Sequence, residues 1–124
     1  MSKILVIDDS EIIRNQLVGL LNQNGYQPIE AKDGVEGLQS AKESNPDIII
    51  TDLNMPNMNG LQLIEELRKL PEFAQKHILI LTTETNADLR KKGQALKVRA
   101  WINKPINEQM ILQILGKLLA KKAA

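Results

Sequence analysis

The sequence predicts an α/β fold, a doubly wound parallel sheet of five strands with five helices on its two faces. Apolar runs of strand length alternate with segments whose apolar residues recur every three or four positions, which is typical of βαβ units. The 124 residues are 43% hydrophobic and 25% charged, as in an ordinary globular domain. We therefore expect one domain over residues 1–124.

The expected strands are Lys3 to Asp8, Tyr26 to Ala31, Asp47 to Asp52, His77 to Thr82 and Arg99 to Asn103. The first, third and fourth contain continuous apolar runs, which indicate strands covered by helices on both faces. Pro28 cannot donate a ladder hydrogen bond and places the second strand at an edge, while Arg99 and Asn103 favour an edge for the fifth. These constraints favour the flavodoxin-like strand order 2-1-3-4-5.

Three helices carry apolar stripes that predict core contacts. The stripes are Ile13, Leu17, Leu20 and Leu21 on helix one, Leu63, Ile64, Leu67 and Leu70 on helix three, and Ile111, Ile114, Leu115 and Leu118 on helix five. Asn24 and Gly25 form a left-handed stop signal after helix one. Helix four, from Ala87 to Leu96, has few apolar residues and contains Gly93, which costs about 1 kcal/mol relative to alanine. We expect it to be the least firmly held helix.

Three aspartates end two strands that should be neighbours. Asp8 and Asp9 follow strand one, and Asp52 follows strand three. Ligands bind at the carboxyl ends of such strands, where the strand order reverses, and three carboxylates packed together require a cation. Mg²⁺ fits because it prefers oxygen ligands and retains open positions for a phosphate. The alternative is that each aspartate only caps the helix or turn that follows it.

Two phosphate ligands are expected at the same edge of the sheet. Strand four ends in Thr82, whose hydroxyl can donate a hydrogen bond, and strand five ends before Lys104, whose ammonium can neutralise phosphoryl oxygens. Taken singly, a threonine in a strand is an ordinary β-former and a lysine is ordinarily solvated. In combination with the three aspartates, they indicate a phosphoryl site.

These residues resemble a known family. Asp8-Asp9, Asp52, Thr82 and Lys104-Pro105, in this order and at these separations, are similar to the receiver-domain signature of two-component response regulators. The resemblance spans the chain and implies a receiver without an output domain. The stretch from Asp52 to Gly60 is especially similar to chemotaxis regulators of the CheY type.

The resemblance implies a role for each matching residue. Asp52 becomes the phosphoacceptor, and Mg²⁺ is bound by Asp9, the Asp52 side chain and the Asn54 backbone carbonyl, with Asp8 acting partly through water. Thr82 and Lys104 bind the phosphoryl oxygens. Further roles are implied for Pro105 in a frequently cis peptide bond, Trp101 as an aromatic switch beside Thr82, and Asn54 and Glu84 as residues that tune dephosphorylation.

The surface of helix four and strand five is locally basic. It carries Arg90, Lys91, Lys92, Lys97, Arg99 and Lys104 against a single acid, Asp88. This is the pattern of a solvated helix face, but the resemblance implies an effector surface, formed by Arg90, Lys91, Lys97 and Trp101, for an acidic partner. Lys97 and Val98 depart from the Gly-Ala usual in the family, so we expect a strained, left-handed Lys97. Thr83 and Ile106 also depart from it and bear on rates and partners.

The resulting hypothesis is a phosphoacceptor switch that catalyses only its own phosphorylation and dephosphorylation. The implied partners are a histidine autokinase, an output protein such as a flagellar motor switch component, and a phosphatase. The formal net charge of +1 gives no overall attraction to nucleic acid or membrane, and the absence of cysteine is compatible with a reducing cytoplasm. The N-terminal apolar stretch, Ile4 to Ile7, is too short for a signal or spanning segment, so we expect a cytoplasmic protein, and we expect a monomer. His77, the one histidine, lacks the helical context of a phosphoryl donor.

Several alternatives remain open from the sequence. A phosphorelay shuttle has the same signature as a chemotaxis switch. An aspartyl-phosphate phosphatase would have an acid two residues after the nucleophile, where this chain has Asn54. A receiver-like module that works without magnesium is disfavoured by the complete pocket. A nucleotide binder is disfavoured because the seven glycines form no phosphate-binding loop.

Overall fold

In a computed structural model, which describes residues 1–123, five strands and five helices alternate along the chain. The strands are β1 (Lys3–Ile7), β2 (Gln27–Ala31), β3 (Ile48–Thr51), β4 (His77–Thr82) and β5 (Ala100–Asn103). The helices are α1 (Glu11–Gln23), α2 (Gly34–Ser44), α3 (Gly60–Arg68), α4 (Ala87–Ala95) and α5 (Glu108–Ala123), and a 3₁₀ turn spans Pro71–Phe73. All neighbouring strands pair in parallel in the order β2-β1-β3-β4-β5, which confirms the predicted fold and strand order.

Polar residues and Pro28 mark the edge strands of the sheet and the carboxyl ends of its central strands. β2 and β5 are the edges, and Pro28 of β2 pairs with Ile4 of β1. Most strands are slightly shorter than expected, so Asp8 and Asp52 lie just beyond β1 and β3 rather than inside them. Their side chains are therefore at the carboxyl edge of the sheet, where the chain turns toward a helix.

Successive side chains of each strand point to opposite faces of the sheet, which divides the core into two layers. One layer contains Ile4 and Val6 of β1 and packs against α1 and α5. The other contains Leu5 and Ile7 and packs against α2 and α3, with partly buried side chains of α4 and β5 added to it. All of the apolar stripe residues predicted for helices one, three and five lie in or against these layers, including Leu70.

Leu70 was expected on the third helix but lies outside it, because α3 ends at Arg68. Its backbone is extended, with φ −90° and ψ 129°. The following residue, Pro71, sterically disfavours the helical conformation in the residue before it. Leu70 still packs against the core layer of α2 and α3, but from the start of the 3₁₀ turn.

α4 has little buried surface, and Gly93 is its one buried residue. Lys97, just after the helix, is left-handed with φ 62°, as expected from its position. The carboxyl end of α4 is nevertheless held by Arg68 of α3, which donates to Leu96 O at 2.9 Å and Lys97 O at 3.1 Å. α4 therefore has few apolar contacts, as expected, but its carboxyl end is held by the hydrogen bonds of Arg68.

Within residues 1–123, the helices are all too short or too polar to cross a membrane.

Candidate functional site

The three predicted aspartates come together at the carboxyl ends of β1 and β3. One carboxylate oxygen from each of Asp8, Asp9 and Asp52 lies within 4.8 Å of the others. Asp8 and Asp52 are buried, whereas Asp9 is exposed. Backbone N–H groups orient the buried pair: Ser10 donates to Asp8 Oδ1 at 2.9 Å, and Leu53 donates to Asp52 Oδ1 at 2.6 Å. The remaining carboxylate oxygens point into a common space.

Lys104 supplies the positive charge in that space. Its Nζ donates to Asp8 Oδ2 at 2.9 Å and to Asp52 Oδ2 at 2.8 Å. Burial alone lowers the pKa of Lys104, but its two carboxylate partners outweigh burial and raise the pKa above its ordinary value. In Asp8, by contrast, burial raises the pKa above its ordinary value. Lys104 and the Ser10 N–H lower this pKa, but their effects are smaller than that of burial. Both pKa values are raised, but for different reasons: the Lys104 ammonium has two carboxylate partners, while Asp8 is almost entirely removed from water.

The donor set fits a hard divalent cation. Three carboxylates at this spacing offer only oxygen ligands, which Mg²⁺ prefers, and the exposed Asp9 leaves one side of the site open to water and phosphate. Lys104 occupies oxygens of Asp8 and Asp52 that face the same space. A metal ion and the Lys104 ammonium would therefore compete for the carboxylate oxygens of Asp8 and Asp52.

The loop after β3 is folded tightly against the site. The Gly60 N–H donates to Leu53 O at 2.9 Å, and a Cβ at Gly60 would overlap the carbonyl oxygen of Asp52. Glycine is therefore required by this close approach. Asn54 is exposed in the same loop, two residues beyond Asp52, where its backbone carbonyl was expected to serve as a ligand.

Asp33, between β2 and α2, also holds the loop that follows β3. This contact is not indicated by the sequence. Its Oδ1 accepts from the Glu36 N–H at 2.8 Å and caps α2, while its Oδ2 accepts from Asn57 Nδ2 at 2.8 Å. The Gly34 N–H also donates to Met58 O at 3.1 Å. The pattern Asp33-x-x-Glu36 signals a helix start, but nothing in the sequence indicates the partner in the loop after β3.

Thr82 is fully buried at the end of β4, and the loop that follows it connects it to Trp101. The Glu84 N–H donates to Thr82 Oγ1 at 3.2 Å. The Glu84 carbonyl accepts from Trp101 Nε1 at 3.2 Å and from Asn103 Nδ2 at 3.1 Å. The backbone of Glu84 therefore links the hydroxyl near the acidic cluster to the indole of β5, and the role of Asn103 was missed in the sequence.

The predicted effector surface lies outside the acidic pocket. Trp101 is half-buried, and the guanidinium carbon of Arg90 lies 5.7 Å from the centre of its ring. Lys91 and Lys97 are exposed. The other predicted residues fall near the site: Thr83 is exposed, Glu84 and Ile106 are half-buried, and the peptide bond between Lys104 and Pro105 is cis.

The arrangement combines an oriented carboxylate, an ammonium, a hydroxyl and an open set of metal ligands. Asp52 offers a nucleophilic oxygen, and Lys104 can stabilise negative charge on a group bound to it. Thr82 can donate a hydrogen bond once its hydroxyl rotates. These are the components needed to bind and transfer a phosphoryl group onto a carboxylate.

Comparison with known proteins agrees with this chemistry. The family model of the response regulator receiver domain matches residues 4–116. Protein PilH of Pseudomonas aeruginosa is 30% identical over 97% of this chain and 99% of its own length, and chemotaxis protein CheY1 of Helicobacter pylori is 34% identical over 94% and 96%. The structure of chemotaxis protein CheY4 of Vibrio cholerae superimposes with a TM-score of 0.89 at 36% identity, covering 95% of this chain and 98% of that one. The chain belongs to the response regulator receiver family and is a receiver of the CheY type.

Proposed function

We propose that this receiver is a switch controlled by phosphorylation of Asp52, with Mg²⁺ as its cofactor and a histidine kinase as its phosphoryl donor. The observation that carries the proposal is the convergence of Asp8, Asp9 and Asp52, with the Lys104 ammonium bound to both Asp8 and Asp52. Aspartates that only capped helices would not need to be buried together or to share one cation. The convergence therefore favours a reaction site over three independent caps.

In the proposed reaction, a carboxylate oxygen of Asp52 attacks the phosphorus of a phosphohistidine. The new oxygen–phosphorus bond forms as the nitrogen–phosphorus bond breaks, and the imidazole leaves with the electron pair. Bound Mg²⁺ supplies positive charge that offsets repulsion between the carboxylate and the phosphoryl group. Asp9, Asp52 and the Asn54 carbonyl would hold the ion, with Asp8 acting through water, while Lys104 moves its hydrogen bonds to the phosphoryl oxygens.

The output is proposed to pass through Thr82. A phosphoryl group on Asp52 would attract the Thr82 hydroxyl, which now accepts from the Glu84 N–H. Breaking that bond would release the loop before α4 and allow Trp101 to turn. The surface formed by Arg90, Lys91, Lys97 and Trp101 would then bind an acidic output protein.

The proposed setting is chemotaxis, because chemotaxis protein CheY1 of Helicobacter pylori and chemotaxis protein CheY4 of Vibrio cholerae match this chain over most of its length. The proposed location is the cytoplasm. A flagellar motor switch component is then the expected output partner, and a dedicated phosphatase is a further one. A motor switch protein from the same organism should bind the chain loaded with beryllofluoride more tightly than the free chain. Transfer of the phosphoryl group onward to a second histidine protein would instead favour a phosphorelay shuttle.

The acceptor is tested by incubating the protein with acetyl phosphate and Mg²⁺ and weighing it intact. We expect one added phosphoryl group that disappears in Asp52→Asn and when the metal is chelated. Asp88→Asn, an exposed acid of α4, is the matched control and should be phosphorylated normally. Retention of the phosphoryl mass in Asp52→Asn would disprove the acceptor, and turnover of unrelated phosphoesters would favour the phosphatase alternative.

The lifetime of the phosphoryl group is proposed to depend on Asn54 and Glu84. Both follow a site residue by two positions, and small or polar side chains there leave a path for water to the phosphorus. We expect autodephosphorylation to be faster than in Asn54→Met, measured as loss of phosphoryl mass after the phosphodonor is removed. An unchanged rate would exclude Asn54 from control of water access.

A further inference from the structure

A concave pocket of about 420 Å³ lies at the end of the sheet opposite Asp52. Four basic side chains line it, those of Arg68, Lys76, Lys97 and Arg99, together with Ala74, Gln75 and Val98. Lys76 immediately precedes β4 and Arg99 immediately precedes β5, so the pocket is at the amino ends of these strands. It is therefore separate from the acidic pocket, which lies at their carboxyl ends.

Arg68 brings a half-buried charge to this pocket without a carboxylate partner. Its five hydrogen bonds go to backbone carbonyls: those of Leu96, Lys97, Phe73, Ala74 and Lys76. Among the side chains of residues 1–120, none forms an ion pair with Arg68, Lys97 or Arg99. Burial, and next the charge of Arg99, lowers the pKa of Arg68 from its ordinary value. The basic charges at this pocket therefore repel one another.

The donors that remain for a ligand, those of Lys97 and Arg99, line the same pocket. The N–H groups of Arg68 are used to fix the carboxyl end of α4, which places Lys97 at the rim in its left-handed conformation. Nε of Arg99 donates to His77 Nδ1 at 3.1 Å, which fixes the guanidinium beside β4. Arg99 can then offer its terminal nitrogens as a fork, and Lys97 adds a point charge.

We propose that this pocket binds a compact anion carrying several phosphoryl groups, such as tripolyphosphate or a nucleoside triphosphate. Lysine and arginine are the side chains that bind phosphoryl oxygens most strongly, and arginine does so with two parallel hydrogen bonds. The volume is within the range of small-molecule sites, about 300–1,000 Å³, and the concave shape suits a compact ligand better than an extended peptide. Binding would neutralise the repulsion between Arg68 and its basic neighbours.

The test is isothermal titration of the intact protein with sodium tripolyphosphate in buffer free of Mg²⁺. We expect saturable binding that weakens roughly tenfold or more in Lys97→Gln with Arg99→Gln, because two charged hydrogen-bond donors are lost. A double variant of two exposed lysines outside the pocket, Lys92→Gln with Lys117→Gln, removes the same charge and should bind as the wild type does. Asp52→Asn should also bind normally.

The outcomes separate the alternatives. Equal weakening in both double variants would overturn the proposal, since it would indicate general charge attraction, and so would loss of binding in Asp52→Asn. Tighter binding of ATP than of tripolyphosphate would support a nucleotide, and the reverse would support an inorganic polyphosphate. Preferential binding of poly-glutamate at equal charge would overturn the small-molecule assignment in favour of an acidic protein segment.

Discussion

Lys104 has two roles that oppose each other in the unphosphorylated chain. Its ammonium neutralises Asp8 and Asp52, which keeps two buried carboxylates compatible with the fold. The same contacts occupy oxygens that face the proposed metal site. Removing the ammonium should therefore help cation binding while it harms phosphoryl transfer.

Lys104→Met should bind Mg²⁺ more tightly than the wild type and accept phosphate from acetyl phosphate more slowly. The first effect follows because the ion no longer competes with an ammonium, and the second because the charge beside the phosphoryl group is lost. Calorimetry measures the affinity, and intact mass at timed intervals measures the rate. Lys117→Met, an exposed lysine on α5, is the control for lost charge. Weaker Mg²⁺ binding in Lys104→Met would contradict the competition.

Asp33 should contribute stability that depends on pH. Its pKa is lowered from the ordinary value of 3.8, first by the Glu36 N–H and next by the Asn57 amide. A group with a lowered folded pKa stabilises the fold above its unfolded pKa, and this contribution is lost as the pH falls through the folded pKa. The advantage of the wild type over Asp33→Asn should thus be full at pH 6 and shrink below about pH 4.

Urea unfolding of both proteins between pH 6 and pH 3 measures that difference. Asparagine is also a good N-cap, so the substitution removes the charge and not the cap itself. Asp88→Asn, in the first turn of α4, provides a control for an acid near a helix start. A difference between wild type and Asp33→Asn that does not change with pH would show that the charge of Asp33 is irrelevant.

At the level of elements, α4 buries little apolar surface, and hydrogen bonds from Arg68 hold the residues just after its carboxyl end. Its one buried residue, Gly93, lies against Trp101, whose ring atoms would be 3.4 Å from a Cβ at that position. The sequence indicated the weak apolar stripe correctly, because periodicity is a local property. The Arg68 contacts could not be predicted, since they join a side chain to carbonyls 28 and 29 residues away. Leu70 continues the apolar periodicity of α3, but Pro71 disfavours a helical conformation at Leu70 and the helix ends before it.

Arg68→Met should destabilise the protein by about 2 kcal/mol, because several carbonyls lose a charged donor at once. Arg68→Lys should fall between the wild type and Arg68→Met, since an ammonium keeps the charge but cannot reach two chain segments with a planar fork. Urea unfolding measures the loss, and hydrogen exchange at Val98 should show faster local opening. Lys69→Met, which removes the exposed ion pair with Glu66, should unfold like the wild type. A similar loss in Lys69→Met would contradict the assignment.

At the level of the whole molecule, the sheet topology explains why the site was predictable. Asp8, Asp52 and Thr82 each end an apolar run, and a parallel sheet brings the ends of adjacent strands together. The continuous apolar runs and the edge residues Pro28, Arg99 and Asn103 were therefore enough to predict which strand ends converge. The loop contacts of Asp33 and Asn57 were not predictable, because side-chain partners across two loops leave no periodic signal in a sequence.

The same topology predicts how the proposed phosphorylation of Asp52 would be transmitted to Trp101. Glu84 connects Thr82 to Trp101: its N–H donates to Thr82 Oγ1, and its carbonyl accepts from Trp101 Nε1 and Asn103 Nδ2. Trp101→Phe keeps an aromatic ring but removes one bond that holds the loop in the unphosphorylated position. A hydrogen bond of about 1 kcal/mol corresponds to roughly a fivefold shift, so beryllofluoride in the presence of Mg²⁺ should bind about fivefold more tightly.

Asn103→Ala should act in the same direction, because it removes the other donor to the Glu84 carbonyl. Gln113→Ala, an exposed amide on α5, should leave the affinity unchanged. In the wild type, beryllofluoride should alter the fluorescence of Trp101, since the indole loses its carbonyl partner as the loop moves. If both donor variants bind beryllofluoride as the wild type does, the loop does not restrain switching, and the signal must leave Thr82 by another route.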